Sequence, residues 1–187
     1  MKKLLIALAA AVMAVGVNAA SVNWTAAKGY LYDGDATNPQ KITSGTAYLV
    51  LSSYAQSDLV SAFAGGDAAS TLAGLQSNAA YLGSGSVASN ARIAGTGTTT
   101  ETSAITTYFV VFNGDKMFIS DTADSTYDAL MAEHTVAFAS ISNSSKSFND
   151  VAGGYAGAGW YGAVPEPTSG LLMLLGLAGL ALRRKRA

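Results

Sequence analysis

Apolar and polar residues alternate from Ser21 to Tyr32, and this period of two predicts a β-strand. Val22, Trp24 and Ala26 share one face of the strand, and the residues between them share the other. A second strand is predicted at 46–52, where the sequence TAYLVLS is almost continuously apolar. Such a run is typical of a strand that is covered on both faces, so we expect it to be central in its sheet.

A β-hairpin is predicted from Ile105–Phe112 and Lys116–Ser120. Asn113-Gly114 lies between the two runs, and both residues tolerate the positive φ of a tight hairpin turn. Weaker patterns indicate further strands at 86–94, 135–142 and 159–162. The last of these segments is rich in glycine, and a spacer is the alternative interpretation there.

Three short helices are predicted between the strands. The first runs from Ser57, as its cap, to Ala64 and buries Leu59, Val60 and Phe63. The second is capped by Asp67 and extends to Gln76. The third is predicted from Ser125 to Glu133, because Ser125 and Asp128 have the spacing of a capping box.

These elements predict one α+β domain that is dominated by β-structure. We expect an antiparallel sheet or sandwich with short helical insertions, and turns at Asp33-Gly34-Asp35 and Asn38-Pro39. The domain should cover residues 20–163, a length that suits one hydrophobic core.

The first 19 residues have the pattern of a secretory signal peptide. Lys2 and Lys3 precede an apolar stretch from Leu4 to Val17, and Val17-Asn18-Ala19 supplies a cleavage site after about Ala19. An uncleaved N-terminal anchor is the alternative, although the apolar stretch is short for a membrane span.

The C-terminal segment 164–187 has three consecutive parts. Pro165-Glu166-Pro167 comes first, the 13 uncharged residues Gly170–Leu182 follow, and Arg183, Arg184, Lys185 and Arg186 end the run. Thirteen residues give roughly 20 Å of helix, which is short for a bilayer, but flanking residues from about 168 can extend it. We predict a transmembrane helix at about 168–182 with its basic tail in the cytoplasm. A buried C-terminal helix is the alternative, but this run is apolar on all sides.

This arrangement resembles the PEP-CTERM sorting signal of Gram-negative bacteria. The resemblance rests on Pro165, Glu166 and Pro167 with the apolar run and basic cluster behind them, and it covers about an eighth of the chain. It implies recognition and processing by an exosortase, an integral membrane transpeptidase-like enzyme. It also implies a link to exopolysaccharide, biofilm formation and surface display. The protein would then be anchored in the inner membrane with its domain in the periplasm, and would reach the cell surface or the exterior after processing.

The charge of the chain limits the kinds of partner that it can bind, and its lack of cysteine limits how the domain is stabilised. Six of the 11 basic residues lie at Lys2, Lys3 and 183–186. The rest of the chain has five basic and 12 acidic residues, which gives it a net charge of −7. This charge argues against nucleic acid and anionic lipid as partners, since both need a basic face. The chain has no cysteine, so an exported domain would depend on its core without disulfides.

Candidates for chemistry are few, and we expect no enzymatic activity, no metal and no cofactor. His134 is the only histidine, and we interpret it as a surface residue at a helix end because no nucleophile motif accompanies it. Asp33, Asp35 and Asn38 have partial calcium-loop spacing without the complete pattern. Asp121, Asp124 and Asp128 form a second acidic cluster, for which calcium binding is the alternative. We interpret both groups as turn or helix-start residues.

Exposed aromatic rings would offer flat faces to sugars, and Trp160 and Tyr161 are the candidates for carbohydrate contact. The favoured function is an exported surface or matrix structural protein. An exopolysaccharide-binding module is the alternative, and a secreted hydrolase is a weaker one.

Overall fold

The computed structural model describes residues 19–26, 30–35, 38–88 and 92–162. The predicted signal peptide before Ala19 and the predicted C-terminal helix at about 168–182 lie outside these residues. Within them, no helix combines the length and the apolar character that crossing a bilayer requires.

The described residues contain ten strands and two α-helices. In chain order these are β1 (Ala20–Ala26), β2 (Gly45–Leu51), α1 (Gln56–Ala64), α2 (Ala68–Gln76), β3 (Tyr81–Val87), β4 (Ile93–Thr99), β5 (Thr106–Asn113), β6 (Lys116–Ile119), β7 (Ala123–Asp128), β8 (Glu133–Ala137), β9 (Phe148–Asp150) and β10 (Gly159–Gly162). Short 3₁₀ turns lie at Ser144–Lys146 and Val151–Gly153.

Seven strands close into a barrel-like sheet. The order is β2-β3-β4-β1-β8-β7-β5, and β5 pairs again with β2, while β6, β10 and β9 continue the sheet from β5. The predicted dominance of β-structure is confirmed, but the predicted sandwich is wrong. Closure occurs because β5 pairs with β7 on one edge, at Thr106 and Thr107, and with β2 on the other. On the edge that faces β7, residues 110–113 pair with β6 instead, which starts the extension. Most pairs are antiparallel, but β1 with β8 and β10 with β9 are parallel.

The two clearest strand predictions are confirmed. In β1 the residues Val22, Trp24 and Ala26 are buried and the residues between them are exposed. Beyond β1, Tyr32 forms an isolated bridge with Lys41 rather than a continuation of the strand. β2 is central, since it pairs with both β3 and β5 and buries residues on both of its faces.

The first two helix predictions are confirmed with one change of cap. α1 buries Leu59, Val60 and Phe63, but its N-cap is Ala55, and no side chain caps it. α2 has the predicted cap, because the Asp67 side chain accepts from the Ser70 N–H at 2.7 Å in a full capping box. This backbone hydrogen bond lowers the pKa of Asp67.

Two of the weaker predictions are wrong. The single strand predicted at 86–94 is the connection of a hairpin, in which β3 and β4 pair antiparallel. The helix predicted from Ser125 to Glu133 is also a hairpin, with β7 ending at Asp128 and β8 starting at Glu133. Asp128 does cap a turn, since its Oδ1 accepts from the N–H groups of Leu130 and Met131, but the turn leads into a strand.

The predicted hairpin of β5 and β6 is confirmed, with its turn shifted by one residue. Asn113 pairs with Lys116, so Gly114 and Asp115 are the two central residues of the turn. Gly114 has φ of 61°, a conformation that suits glycine.

Four aromatic rings form a continuous row through the core, which we call the aromatic spine. Trp24 stacks on Phe109 with ring centroids 5.7 Å apart, Phe109 lies 5.7 Å from Phe118, and Phe118 lies 5.5 Å from Trp160. The edge of Phe138 packs against Phe109 at 4.9 Å. The spine therefore connects β1, β5, β6 and β10.

The two ends of the barrel are distinct. At the C-terminal end of β5, which we call the exit pole, Gly162 ends β10 beside the turn at Gly114 and Asp115. A Cβ placed on Gly162 would lie 3.4 Å from Asp115 O. At the opposite end, the groove pole, β1 begins beside the turn 129–132, where the Ser21 N–H donates to Ala132 O at 3.0 Å.

A glycine makes room for the first ring of the spine. A Cβ on Gly95 would lie 2.5 Å from Gly85 Cα and 2.6 Å from Trp24 Nε1, so a side chain would collide with backbone and indole together. The neighbouring strand glycines Gly83, Gly85 and Gly97 are equally close to facing backbone. Glycine in β3 and β4 is thus a packing requirement.

We expect Gly95→Ala to destabilise the folded domain by about 1–3 kcal/mol, because overpacking forces the strands or Trp24 to move. Gly74→Ala is the matched control, since Gly74 lies within α2 and a Cβ added there would meet no atom within 4 Å. That change should be neutral or stabilise by up to about 1 kcal/mol. Urea denaturation of both variants measures this, and equal midpoints would contradict the packing argument.

Candidate ligand groove and sorting segment

An open groove of about 600 Å³ lies at the groove pole. Its apolar floor comes from Leu51, Ala80 and Leu82, at the adjoining ends of β2 and β3. Polar groups surround this floor: Ser53, Tyr54, Asn78, Thr98, Thr99, Thr100 and Glu101. A smaller recess of about 170 Å³ shares Leu51, Ser53 and Glu101 with it and extends toward Ile105.

Glu101 is the charged residue of the groove wall, and its backbone is fixed at both ends. Its N–H donates to Thr99 Oγ1 at 3.2 Å, and its carbonyl oxygen lies 2.9 Å from His134 Nε2. Since a carbonyl oxygen only accepts, Nε2 carries the proton in this contact. The side chain of Glu101 is exposed to solvent at the groove.

His134 is therefore a buried support for the groove wall, and the predicted surface position at a helix end is wrong. It lies in β8, is 0% exposed, and packs on the Tyr127 ring at 4.6 Å. Ser125 Oγ lies 3.0 Å from His134 Nδ1 and also accepts from the Ile105 N–H at 3.0 Å. Two strands, β7 and β8, and the 100–105 connection thus meet in one network in which the buried polar groups have hydrogen-bond partners.

The pair of Ser125 and His134 resembles a nucleophile with its base only in its distance. Ser125 is 6% exposed, and neither side chain is among those that line the groove. The second ring nitrogen of His134 faces a backbone carbonyl rather than a carboxylate. The contacts explain this pair as an anchor that joins β7, β8 and the segment carrying Glu101.

The opposite wall of the groove is held by a buried tyrosine. Tyr108 is 0% exposed and its hydroxyl donates to Tyr54 O at 2.9 Å, which fixes the segment before α1. Burial raises the pKa of Tyr108, so it stays a neutral donor. Asn78 Oδ1 accepts from the Ala80 N–H at 2.9 Å, which leaves its amide NH₂ for a ligand.

This combination of groups suits a neutral ligand with many hydroxyl groups. A carboxylate, an amide and several hydroxyls can exchange hydrogen bonds with it, while Tyr54 and the apolar floor contact its C–H surface. The groove is open to solvent at the surface of the domain. It lies where β2 and β4 end and β3 begins.

The predicted sugar-binding aromatics occupy a different position. Trp160 and Tyr161 are both 0% exposed, so neither ring presents a face to a sugar. Trp160 donates from Nε1 to Tyr32 O, and the Tyr161 hydroxyl donates to Gly157 O and accepts from the Ala156 N–H. Burial raises the pKa of Tyr161.

The acidic groups singled out in the sequence serve as turn and strand contacts. Asp33 Oδ1 accepts from the N–H groups of Asp35 and Gln40, and Asp35 Oδ1 accepts from the Asn38 N–H. Asp124 accepts from the Thr106 hydroxyl at 2.6 Å. In the part of the chain that the structure describes, no three His, Asp or Glu side chains are grouped to hold a metal ion.

The C-terminal segment follows the fold without a linker. β10 ends at Gly162, and the family model for the PEP-CTERM protein-sorting motif matches residues 163–186. The chain carries a PEP-CTERM sorting signal. This signal implies export, membrane-associated sorting and an exosortase-type processing partner. Searches of curated proteins and of solved structures found no significant match.

Sequence reasoning missed the groove. Tyr54, Asn78 and Glu101 are separated along the chain and meet only because β2 and β4 end, and β3 begins, at the same pole. The available signal was the threonine-rich run 98–100 followed by an acid, next to strands that the Gly- and Ser-rich sequence conceals.

We expect Ser125→Ala to lower stability by about 1–3 kcal/mol, because it leaves the Ile105 N–H and His134 Nδ1 buried without a partner. Ser84→Ala is the matched control in an exposed position of β3 and should stay within about 0.5 kcal/mol of the parent. Chemical denaturation measures both. An unchanged denaturation midpoint for Ser125→Ala would show that the hydrogen bonds of Ser125 do not stabilise the segment that carries Glu101.

Proposed function

We propose that this protein is an exported structural protein of the cell surface or extracellular matrix, with no enzymatic activity of its own. The observation that carries the proposal is the sorting motif at residues 163–186. Segment 164–187 anchors the chain in the inner membrane by its apolar helix, Arg183–Arg186 remain in the cytoplasm, and an exosortase-type enzyme processes the chain at Pro165-Glu166-Pro167.

The N-terminal half of the proposal is export through a signal peptide that is cleaved after Ala19. The position of β1 supports it, since Ala20 is the first residue of the strand and is 1% exposed, whereas Ala19 is exposed. The domain thus starts where the predicted leader ends. The passenger faces the periplasm while it is anchored and reaches the surface or matrix after processing, where exopolysaccharide is its expected neighbour.

Replacing Pro165, Glu166 and Pro167 together by alanine should abolish C-terminal processing and leave the full-length form in the membrane fraction. The physical reason is loss of the recognised tripeptide while the apolar helix remains. Fractionation with intact-mass measurement follows both ends of the chain. Pro39→Ala is the control, since Pro39 is the one proline of three that lies outside the motif. Unchanged mass and location of the triple variant would refute sorting by this motif.

The groove favours a second function, binding of a neutral polysaccharide. Its support is the chemistry of Tyr54, Asn78 and Glu101 around an apolar floor, rather than the buried Trp160 and Tyr161. The groove is open, as a site for a polymer must be, because the chain of sugars has to continue beyond the bound units.

In native gels that contain a soluble neutral polysaccharide, the parent protein should migrate more slowly than in a gel without the polysaccharide. The polysaccharide should slow Glu101→Gln less than it slows the parent. The change removes a charged acceptor, and charge-assisted hydrogen bonds are about twice as strong as neutral ones. Asp115→Asn at the exit pole loses the same charge and is the matched control. Equal retardation of both variants, or an unretarded parent, would remove the polysaccharide function from this groove.

A further inference from the structure

The sorting motif starts very close to the folded barrel. Gly162 is buried and pairs with Asp150 of β9, and Pro165 is three residues further on. Three residues span at most about 10 Å even when fully extended. A protein that binds Pro165-Glu166-Pro167 must therefore approach the exit pole to about this distance, provided that β10 remains in the sheet.

The contacts of β10 hold it in place. It lies between β6 and β9, and all four of its residues are buried. Trp160 ends the aromatic spine and covers Gly34, and the hydroxyl of Tyr161 is fixed by the 156–157 backbone. Removing the strand would expose two large aromatic side chains that are fully buried in the folded domain.

The exit pole has a surface that a partner can contact. A recess of about 530 Å³ lies between the α1–α2 connection and the β5–β6 turn, and it is lined by Phe63, Ala64, Gly66, Ala68, Asp115 and Val151, among others. Val151 follows Asp150, the partner of Gly162, and Asp115 lies beside Gly162 itself. The recess and the end of β10 are thus parts of one surface.

We propose that the sorting enzyme docks on the exit pole of the folded barrel, with the apolar recess beside Asp115 and Val151 as part of its contact surface. The inference rests on the proposed sorting function and adds to it that the enzyme contacts the folded domain as well as the tripeptide. The groove pole, with Glu101 and the exposed turn at Leu130 and Met131, then faces away from the enzyme.

Site-specific photo-crosslinking in the producing cells tests this contact on the full chain. A benzophenone-bearing amino acid is placed, one position at a time, at Asp115, Met131 or Val164. We expect a crosslink to a membrane protein from Val164 and from Asp115, and no such crosslink from Met131. Asp115 and Met131 are both exposed turn residues, at opposite poles, so they are matched for access.

An insertion of eight Gly and Ser residues between Gly162 and Ala163 gives a second measurement. It should retain the crosslink from Val164 and lose the one from Asp115, because a flexible linker lets the enzyme bind the motif away from the barrel. Thermal melts of the crosslinking variants before irradiation check that each is folded.

The outcomes separate the two proposals. Absence of a membrane-protein crosslink from Val164 would overturn the sorting function and this inference with it. A crosslink from Val164 with none from Asp115, equal crosslinks from Asp115 and Met131, or an Asp115 crosslink that survives the insertion would overturn the docking alone. A crosslink from Val164 only to the barrel itself counts as such an absence, and it would overturn both proposals.

Discussion

The structure depends on the aromatic spine. Trp24, Phe109, Phe118 and Trp160 come from four strands that are distant in sequence, and their contacts hold the barrel and its three-strand extension together. A closed sheet needs an interior that is filled to the density of a crystal, and large rings fill it with few residues. The chain has no cysteine, so no covalent crosslink supplements this packing. Gly95 of β4 complements the spine, since the Trp24 indole packs where a side chain is absent.

The arrangement of the strands fixes the positions of two regions, the candidate groove and the end of β10 that precedes the sorting motif. Because Trp160 completes the spine, β10 is anchored at its centre, and the last described strand ends at the exit pole at Gly162. Because β3 runs antiparallel to β2 and β4, it begins at the pole where they end, and the groove forms there. Ser125 of β7 contacts His134 of β8, and His134 in turn donates to the carbonyl oxygen of Glu101. These two hydrogen bonds link the segment that holds Glu101 to both strands. The candidate groove and the strand end that precedes the sorting motif consequently lie at opposite poles of the barrel.

The sequence predicted local features well and tertiary ones poorly. Alternation identified β1, the apolar run identified β2 as central, and Asp67 was identified as a helix cap, because each signal depends on neighbours in the chain. Barrel closure depends on β5 pairing with β7 on one edge and with β2 on the other, and the periodicity of the sequence does not indicate which strands pair. Ser125 and Asp128 have the spacing of a capping box, yet pairing with β8 outweighed this weak local preference. His134 and Glu101 lie 33 residues apart along the chain, so their contact was invisible before the fold was known.

The parallel pairing of β1 with β8 determines when the barrel can close as the chain is delivered. The first strand pairs with 93–99 on one edge and with 133–137 on the other, so its second edge stays unpaired until β8 has been delivered. Contacts of such long range make closure slow compared with formation of the local hairpins. A polypeptide that is delivered N-terminus first therefore cannot close the barrel before β8 has emerged. The order of the strands along the chain thus delays compaction until most of residues 20–162 are available.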